Sequence, residues 1–320
     1  MKFATSNARP NAPIFLCETF EETLKALLDH TGGSVLAVIV GATGPTYRPL
    51  GAIMAVLDNG DRIGALSSGC IDSDIQIHSQ EAIASGELKV IRYGVGSPYR
   101  DIKLPCGGGL DVAVIPNPDK SVIAGILNAR DARRRAHFGV DLVEGTLSLC
   151  NLPLSKSPTS FSIELVPEVQ FVVFGAGPEV TTFTALVSSC SYQAVIYSHD
   201  VLTREACAHM NCETRPLSAP KLPADVEIDD RTAIILFFHD HAWEPEILLD
   251  TLQTDAFYIG AQGSQRVRAQ RDVALEALGA TAKDISRIRG PIGLIPSTRD
   301  ARTLSVSVLA ETLQCAKVEA

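Results

Sequence analysis

The apolar positions of this chain follow two rhythms. In the first half, residues 34–40 form a continuous β-branched and apolar run, the pattern of a buried strand. Residues 52–57 and 62–66 flank Asp58-Asn59-Gly60-Asp61, and Asn-Gly between two such runs predicts a hairpin. Leu24, Leu27 and Leu28 make an apolar helical stripe behind Thr19-Phe20-Glu21-Glu22, which has the pattern of a capping box. Residues 71–85 read as a helix with Asp72 and Asp74 in its first turn, where they serve the helix N-terminus. Residues 89–93 and 110–115 read as strands. Together these predict an α+β domain with mixed strands.

The second half alternates more regularly. Residues 170–174, 193–197, 232–238 and 256–259 are short apolar strands, and residues 179–188, 244–251 and 264–278 have helical spacing. Residues 305–313 close the pattern with an apolar helix. Alternating β and α of this kind predicts a Rossmann-like, doubly wound parallel sheet, so the fold class is α/β. Between the halves, Pro153, Ser155, Ser157, Pro158, Ser160 and Pro167 mark a shift in composition. The expected organisation is an N-terminal domain over residues 1–150, a linker over 151–168 and a C-terminal domain over 169–320.

Composition narrows the class. At 46% hydrophobic and 20% charged residues, the 320-residue chain is of the globular kind and long enough for two cores. A formal net charge of −9 argues against a nucleic-acid partner, although local arginines still suit a small anion. The start does not read as a signal peptide, and no apolar run approaches the roughly 20 residues of a membrane span. Eight cysteines, at positions 17, 70, 106, 150, 190, 207, 212 and 315, form no Cys-x-x-Cys pair. That usage predicts a reducing cytoplasm, with thiols such as Cys190 and Cys315 serving as small core residues.

Four stretches carry candidate chemistry. Leu104-Pro105-Cys106-Gly107-Gly108-Gly109 places a thiol before three glycines, and Ser67-Ser68-Gly69-Cys70 places another at a strand-to-helix turn. Glycine loses the most backbone entropy on folding, so three in a row require strained dihedrals or close backbone approach. Cys70 and Cys106 are then either activated thiols, as nucleophiles or soft-metal ligands, or small buried residues in tight turns. Phe174-Gly175-Ala176-Gly177 has the strand, Gly-x-Gly, helix order that brings backbone to a pyrophosphate. Yet Val180 stands where a third Gly or Ala is usual, and Ser198 where an acid would hold a ribose. NAD(P), another nucleotide and an empty site all stay open.

His239-Asp240-His241, at a strand end, offers two histidines at i and i+2 for a metal or a ligand, or for loop hydrogen bonds. Gly260-Ala261-Gln262-Gly263-Ser264 with Arg266 and Arg268 suits a phosphate, or is a tight turn capped by Ser264. No Ser-His-Asp constellation is inferred and no catalytic residue is assigned.

These motifs jointly resemble the XdhC/CoxI family, accessory factors of xanthine dehydrogenase and related molybdenum hydroxylases. The resemblance rests on residues 36–40, Tyr47-Arg48-Pro49, Gly51-Ala52, Ser67-Ser68-Gly69-Cys70 and Pro105-Cys106-Gly107-Gly108-Gly109. It continues through Phe174-Gly175-Ala176-Gly177, His239-Asp240-His241, Tyr258-Ile259-Gly260, Gly263-Ser264-Gln265-Arg266, Pro291-Ile292-Gly293-Leu294 and residues 305–311. Ser68, Arg289-Gly290 and Ile295-Pro296-Ser297 depart from the usual family residues.

The residues alone leave an NAD(P)-dependent oxidoreductase using the Rossmann half, or a docking scaffold without ligand, as alternatives; the resemblance implies a cytoplasmic insertion chaperone, non-catalytic rather than an enzyme. Such a protein binds the molybdenum cofactor, guards its sulfurated form and delivers it to a xanthine dehydrogenase-type client. Cys70 and Cys106 would meet molybdenum or sulfur, and Arg48 with Gly107, Gly108 and Gly109 an anionic pterin phosphate. Gly175, Gly177, Ser198, His239, Gly260, Gly263, Ser264 and Arg266 complete the expected cofactor-binding set. Expected partners are the hydroxylase client, a cysteine desulfurase and a second copy of the chain, with no nucleic acid and no membrane.

Overall fold

A computed structural model describes residues 14–16, 18–67, 69, 71–98, 104, 107–152, 157–210 and 212–318. The chain divides into two units, Met1–Pro167 and Glu168–Ala320, each with its own apolar clusters.

The first unit opens with β1 (Ile14–Leu16) and α1 (Glu18–Asp29). There follow β2 (Ser34–Thr43), β3 (Ile53–Leu57), β4 (Arg62–Gly64), α2 (Asp72–Ser85), β5 (Lys89–Gly94) and β6 (Gly109–Pro116). The five strands from β2 to β6 form one antiparallel sheet in the order β4-β3-β2-β6-β5. Both faces of this sheet are covered, which is why residues 34–40 lack polar alternation. Val35, Ala37 and Ile39 join Ile71 and Ile75 under α2, while Leu36 and Val38 join Leu24 and Leu27 of α1.

The second face also meets α3 (Lys120–Asp131) and a smaller sheet of β7 (Ala136–Asp141), β8 (Leu147–Cys150) and β9 (Ser160–Pro167). Its order is β1-β9-β7-β8, with β1 parallel to β9. Strand β9 therefore lies within the stretch read as linker. Its alternation of Phe161, Ile163 and Leu165 on the buried side is obscured in sequence by neighbouring Ser and Pro.

The second unit contains β10 (Gln170–Gly175), α4 (Pro178–Ser189), β11 (Gln193–Ser198), α5 (Val201–Ala208) and β12 (Glu213–Pro216). It continues through β13 (Thr232–Phe237), α6 (Glu244–Thr251), β14 (Tyr258–Ala261), α7 (Gln265–Ala277), α8 (Ala282–Ser286), β15 (Ile288–Arg289) and α9 (Ala301–Val318). All six strands are parallel, in the order β12-β11-β10-β13-β14-β15. Counted within the unit this is 3-2-1-4-5-6, the Rossmann order, with its switch point between β10 and β13. Helices α4 and α9 cover one face, α6 and α7 the other.

Local differences from expectation have local causes. Helix α1 starts at Glu18, so Thr19 sits inside the first turn and its carbonyl accepts from Thr23 Oγ1 at 2.8 Å. Cys190 is exposed rather than a core residue, because it follows the last turn of α4. Among the described residues no helix is long and apolar enough to cross a membrane.

Candidate functional site

In the first unit, three loops meet at one end of the five-stranded sheet. Gly94 ends β5, and a Cβ there would lie 2.2 Å from the Gly108 carbonyl and 2.9 Å from Leu104 Cδ1. Val95 donates to that carbonyl at 3.1 Å, and Gly107 donates to Leu104 O at 2.9 Å. The β2–β3 loop passes on another side, since a Cβ on Gly108 would meet Pro45 O at 2.1 Å and Thr43 O at 2.9 Å. Arg92 ties the cluster together, donating to Asp111 Oδ2 at 2.8 Å, Thr43 Oγ1 at 2.9 Å and Val95 O at 3.0 Å. A Cβ on Gly109 would sit 2.6 Å from Arg92 Nη2.

The three glycines thus separate by role. Gly108 and Gly109 are required by close packing of the chain on itself. Gly107 is left-handed at φ +70° and, among the described residues, nothing lies within 4 Å of its Cβ position, so it is open with respect to them. Gly69 repeats this, at φ +98° and equally open. Its turn is braced by Asp72, whose Oδ1 accepts from Leu66 N at 3.3 Å, Ser67 N at 3.1 Å and Ser67 Oγ at 3.0 Å. Asp72 therefore holds the loop before α2 rather than capping the helix. Asp74 accepts from Tyr93 Oη at 2.7 Å, which ties the first turn of α2 to the end of β5. Ile71, Tyr93 and Leu104 share one buried cluster.

Gly69 thus stands two residues before Ile71 and Gly107 three after Leu104, and both of those side chains belong to the cluster that holds Tyr93. Cys70 and Cys106, the expected metal and cofactor thiols, lie outside the described residues, as do Ser68 and Pro105. Arg48 stands three residues beyond Pro45 in the β2–β3 loop. Its Nε is buried and, among the described residues, has no hydrogen-bond partner. A buried, charged donor left unpaired is costly, and an anion relieves it.

In the second unit the switch point is lined by both predicted motifs. Gly175, at φ +144°, lets β10 approach β13, where a Cβ would collide with Phe237 O at 2.1 Å. Gly177 precedes α4 at φ +92°, but its N–H is donated to Thr203 Oγ1 at 2.9 Å. Thr203 in turn donates to Asp200 Oδ2 through its hydroxyl at 2.6 Å and its N–H at 2.8 Å, holding that carboxyl below its ordinary range. Ser198 is fully buried and its Oγ accepts from Asp200 N at 3.1 Å. Two of the groups expected to meet a nucleotide, Gly177 N–H and Ser198 Oγ, are thus engaged within the chain. Val180 is buried in the core under α4, which explains why that position is neither Gly nor Ala.

The two histidines diverge. His239 Nε2 lies 3.2 Å from Glu179 Oε2 across the switch point, whereas His241 Nδ1 lies 2.9 Å from Glu244 Oε1. Each imidazole has its own carboxylate, so they do not face a shared metal. Among the described residues no group of three or more His, Cys, Asp or Glu could hold a metal ion. Glu244 is buried and bound by Arg271 Nε at 2.7 Å, and Arg271 Nη2 donates to Gln262 O at 2.6 Å. Among the described residues, Gln262 Oε1 is itself buried without a donor. Neither Glu244 nor Arg271 stands out in sequence, because surface helices are full of such residues.

The second glycine loop is mainly structural. A Cβ on Gly260 would strike the Tyr258 ring and Ile292, and one on Gly263, at φ +141°, would strike Val267. Ser264 caps α7 by accepting from Val267 N at 3.3 Å, Arg266 is exposed, and Arg268 Nη1 donates to Gly290 O at 2.7 Å. At the ends of β11 and β13, the rings of His199 and Trp243 stack at 4.8 Å and 10°. Burial pushes the Cys207 and Cys212 thiols of this unit up, away from nucleophilic use.

Comparison with known proteins agrees with these motifs over both units. Residues 27–94 match the XdhC and CoxI family, and residues 171–312 match the XdhC Rossmann domain. A relative from Escherichia coli, named molybdenum cofactor insertion chaperone PaoD, is 32% identical over 87% of this chain and 82% of its own length. The chain belongs to the XdhC and CoxI family. A second member, from Bacillus subtilis and named as a probable component of xanthine dehydrogenase, is 22% identical over 93% of this chain and 98% of its own. A crystal structure described as a xanthine dehydrogenase from Bacillus halodurans superposes with a TM-score of 0.76 at 19% identity. It covers 93% of this chain and 96% of its own, and shares the fold. XdhC-type architecture therefore extends over both units.

Proposed function

We propose that this XdhC-family chain binds the molybdenum cofactor, guards its sulfurated form and passes it to a xanthine dehydrogenase-type hydroxylase. One observation carries the reading. Arg48 Nε is buried and, among the described residues, without an acceptor, in the β2–β3 loop whose Thr43 and Pro45 carbonyls pack against Gly108 of the triple-glycine turn. An anionic pterin phosphate supplies the acceptor that Arg48 lacks, and the open left-handed turns at Gly69 and Gly107 leave room for it. Cys70 and Cys106, next in sequence to those two glycines, supply soft donors suited to molybdenum or to its sulfur ligand. The name of the Escherichia coli relative supports a maturation role, and that of the Bacillus subtilis relative a link to xanthine dehydrogenase.

The chain's own part is to hold and release the cargo. Arg48 orients the phosphate, and the glycine turns let backbone come close without side-chain interference. A cysteine desulfurase is the expected source of the sulfur, and a homodimer the expected assembly. The test is retention. Chain purified from cells that make the cofactor should carry pterin and molybdenum, and Cys106→Ala or Arg48→Gln should lower both. Cys190→Ala, an exposed thiol in the other unit, should not. Equal retention by Cys106→Ala and wild type would remove Cys106 from the site.

A further inference from the structure

The Rossmann unit has a cleft on the opposite side of β14 from the switch point. A cleft of about 670 Å³ surrounds the edge strand β15, a volume in the range of small-molecule sites. Three guanidinium groups line it, from Arg268 on α7 and from Arg287 and Arg289 at either end of β15. Two of them are fixed by neutral acceptors. Arg287 donates to Leu252 O at 2.6 Å and Thr254 O at 3.0 Å, and Arg268 donates to Gly290 O at 2.7 Å. Carbonyls orient a guanidinium without cancelling its charge, so these two are positioned and still cationic.

Two carboxylates share the lining with these three arginines. Glu311 is already engaged, its Oε2 accepting from Gly293 N at 2.6 Å and from Tyr258 Oη at 2.9 Å, with Arg289 Nη1 at 3.5 Å from Oε1. Asp255 lines the cleft as well, and Asp272, outside the lining and one turn along α7, forms a longer ion pair with Arg268, Oδ2 to Nε 3.8 Å. Within the lining three arginines stand against Asp255 and Glu311, an excess of one guanidinium, with Asp272 beside Arg268 but outside the lining. Phe257 adds an aromatic wall. A planar, five-donor fork is the group that best matches phosphate oxygens, and three around one cleft suit two adjacent phosphates.

We infer that this cleft binds a diphosphate-bearing small molecule. Its residues are separate from the thiol turns of the first unit and from the Rossmann switch point, so the inference stands or falls independently of the proposed function. Titration of the full chain with inorganic pyrophosphate, followed by calorimetry, should show saturable binding that weakens as salt is raised. Arg268→Gln and Arg289→Gln, which each remove a charge-assisted contact, should weaken it about tenfold. Arg302→Gln, on the exposed surface of α9, should leave it unchanged.

Hydrogen exchange on the wild-type chain gives a readout that needs no variant. Pyrophosphate should protect residues 255–259 and 286–291. A nucleoside diphosphate that binds more tightly than pyrophosphate assigns the cleft a ligand with a ring against Phe257; equal affinity assigns it the phosphates alone. Absence of binding, or protection confined to residues 175–181 at the switch point, would overturn the inference.

Discussion

At the scale of single residues, adjacent glycines of one motif have separable roles. Gly107→Ala meets only the left-handed backbone, a penalty of about 1–2 kcal/mol, and leaves the fold intact. Gly108→Ala drives a methyl group into the Pro45 and Thr43 carbonyls, neither of which is a flexible side-chain end, and should cost about 3 kcal/mol. Urea denaturation of the two variants checks this, and equal losses would contradict the packing described. Sequence alone showed that the three glycines needed a reason. It did not show that two of them answer to neighbouring loops, because that requires knowing that residues 43–45 and 94–95 meet there. Asp200 offers a pH test. Its carboxyl is held below the ordinary 3.8 by Thr203, so its stabilising effect is present at neutral pH and is lost as pH falls through the folded value. Thr203→Val, which removes the hydroxyl donor and keeps the backbone N–H donor, should partly flatten the stability profile of the Rossmann unit below about pH 4. With Gly177 N–H donated to Thr203, titration with NAD or NADP should show no binding.

Elements were legible where both faces of a strand are buried. Residues 34–40, 170–174 and 193–197 lie within β2, β10 and β11, and residues 244–251 coincide with α6. Strands β7, β8 and β9 and helices α3 and α5 were not singled out. Their apolar positions are interrupted by Gly, Ser, Arg or Asp, and they become elements only once a second sheet or a neighbouring helix is there to bury them. The contact between α6 and α7 is also invisible in sequence. Arg271 and Glu244, at 2% and 1% side-chain exposure, are a buried ion pair joining the two helices. Removing one partner strands the other's charge, so Arg271→Met should destabilise the unit by about 3–5 kcal/mol. The double variant Glu244→Gln with Arg271→Met should recover most of that loss. Additive losses in thermal unfolding would show that the pair is not coupled.

For the whole molecule, the Rossmann half was readable because parallel strands and intervening helices leave a regular alternation. The strand order 3-2-1-4-5-6 then places His239 and Gly175 on neighbouring strand ends, as the open-sheet rule requires. The first half was readable only as α+β, since the two sheets of its core come from interleaved segments. Because each unit has its own apolar clusters, a chain of residues 168–320 should unfold cooperatively by itself. The central claim concerns transfer, and transfer can be watched directly. Chain loaded with isotopically labelled molybdenum in its cofactor is mixed with apo-hydroxylase of the xanthine dehydrogenase type, and the two are separated and assayed for metal. The account predicts that the label moves into the hydroxylase together with enzyme activity, faster than from free cofactor, and that Cys106→Ala abolishes the advantage. Label that stays on the chain, or loading equally fast without it, would contradict the claim.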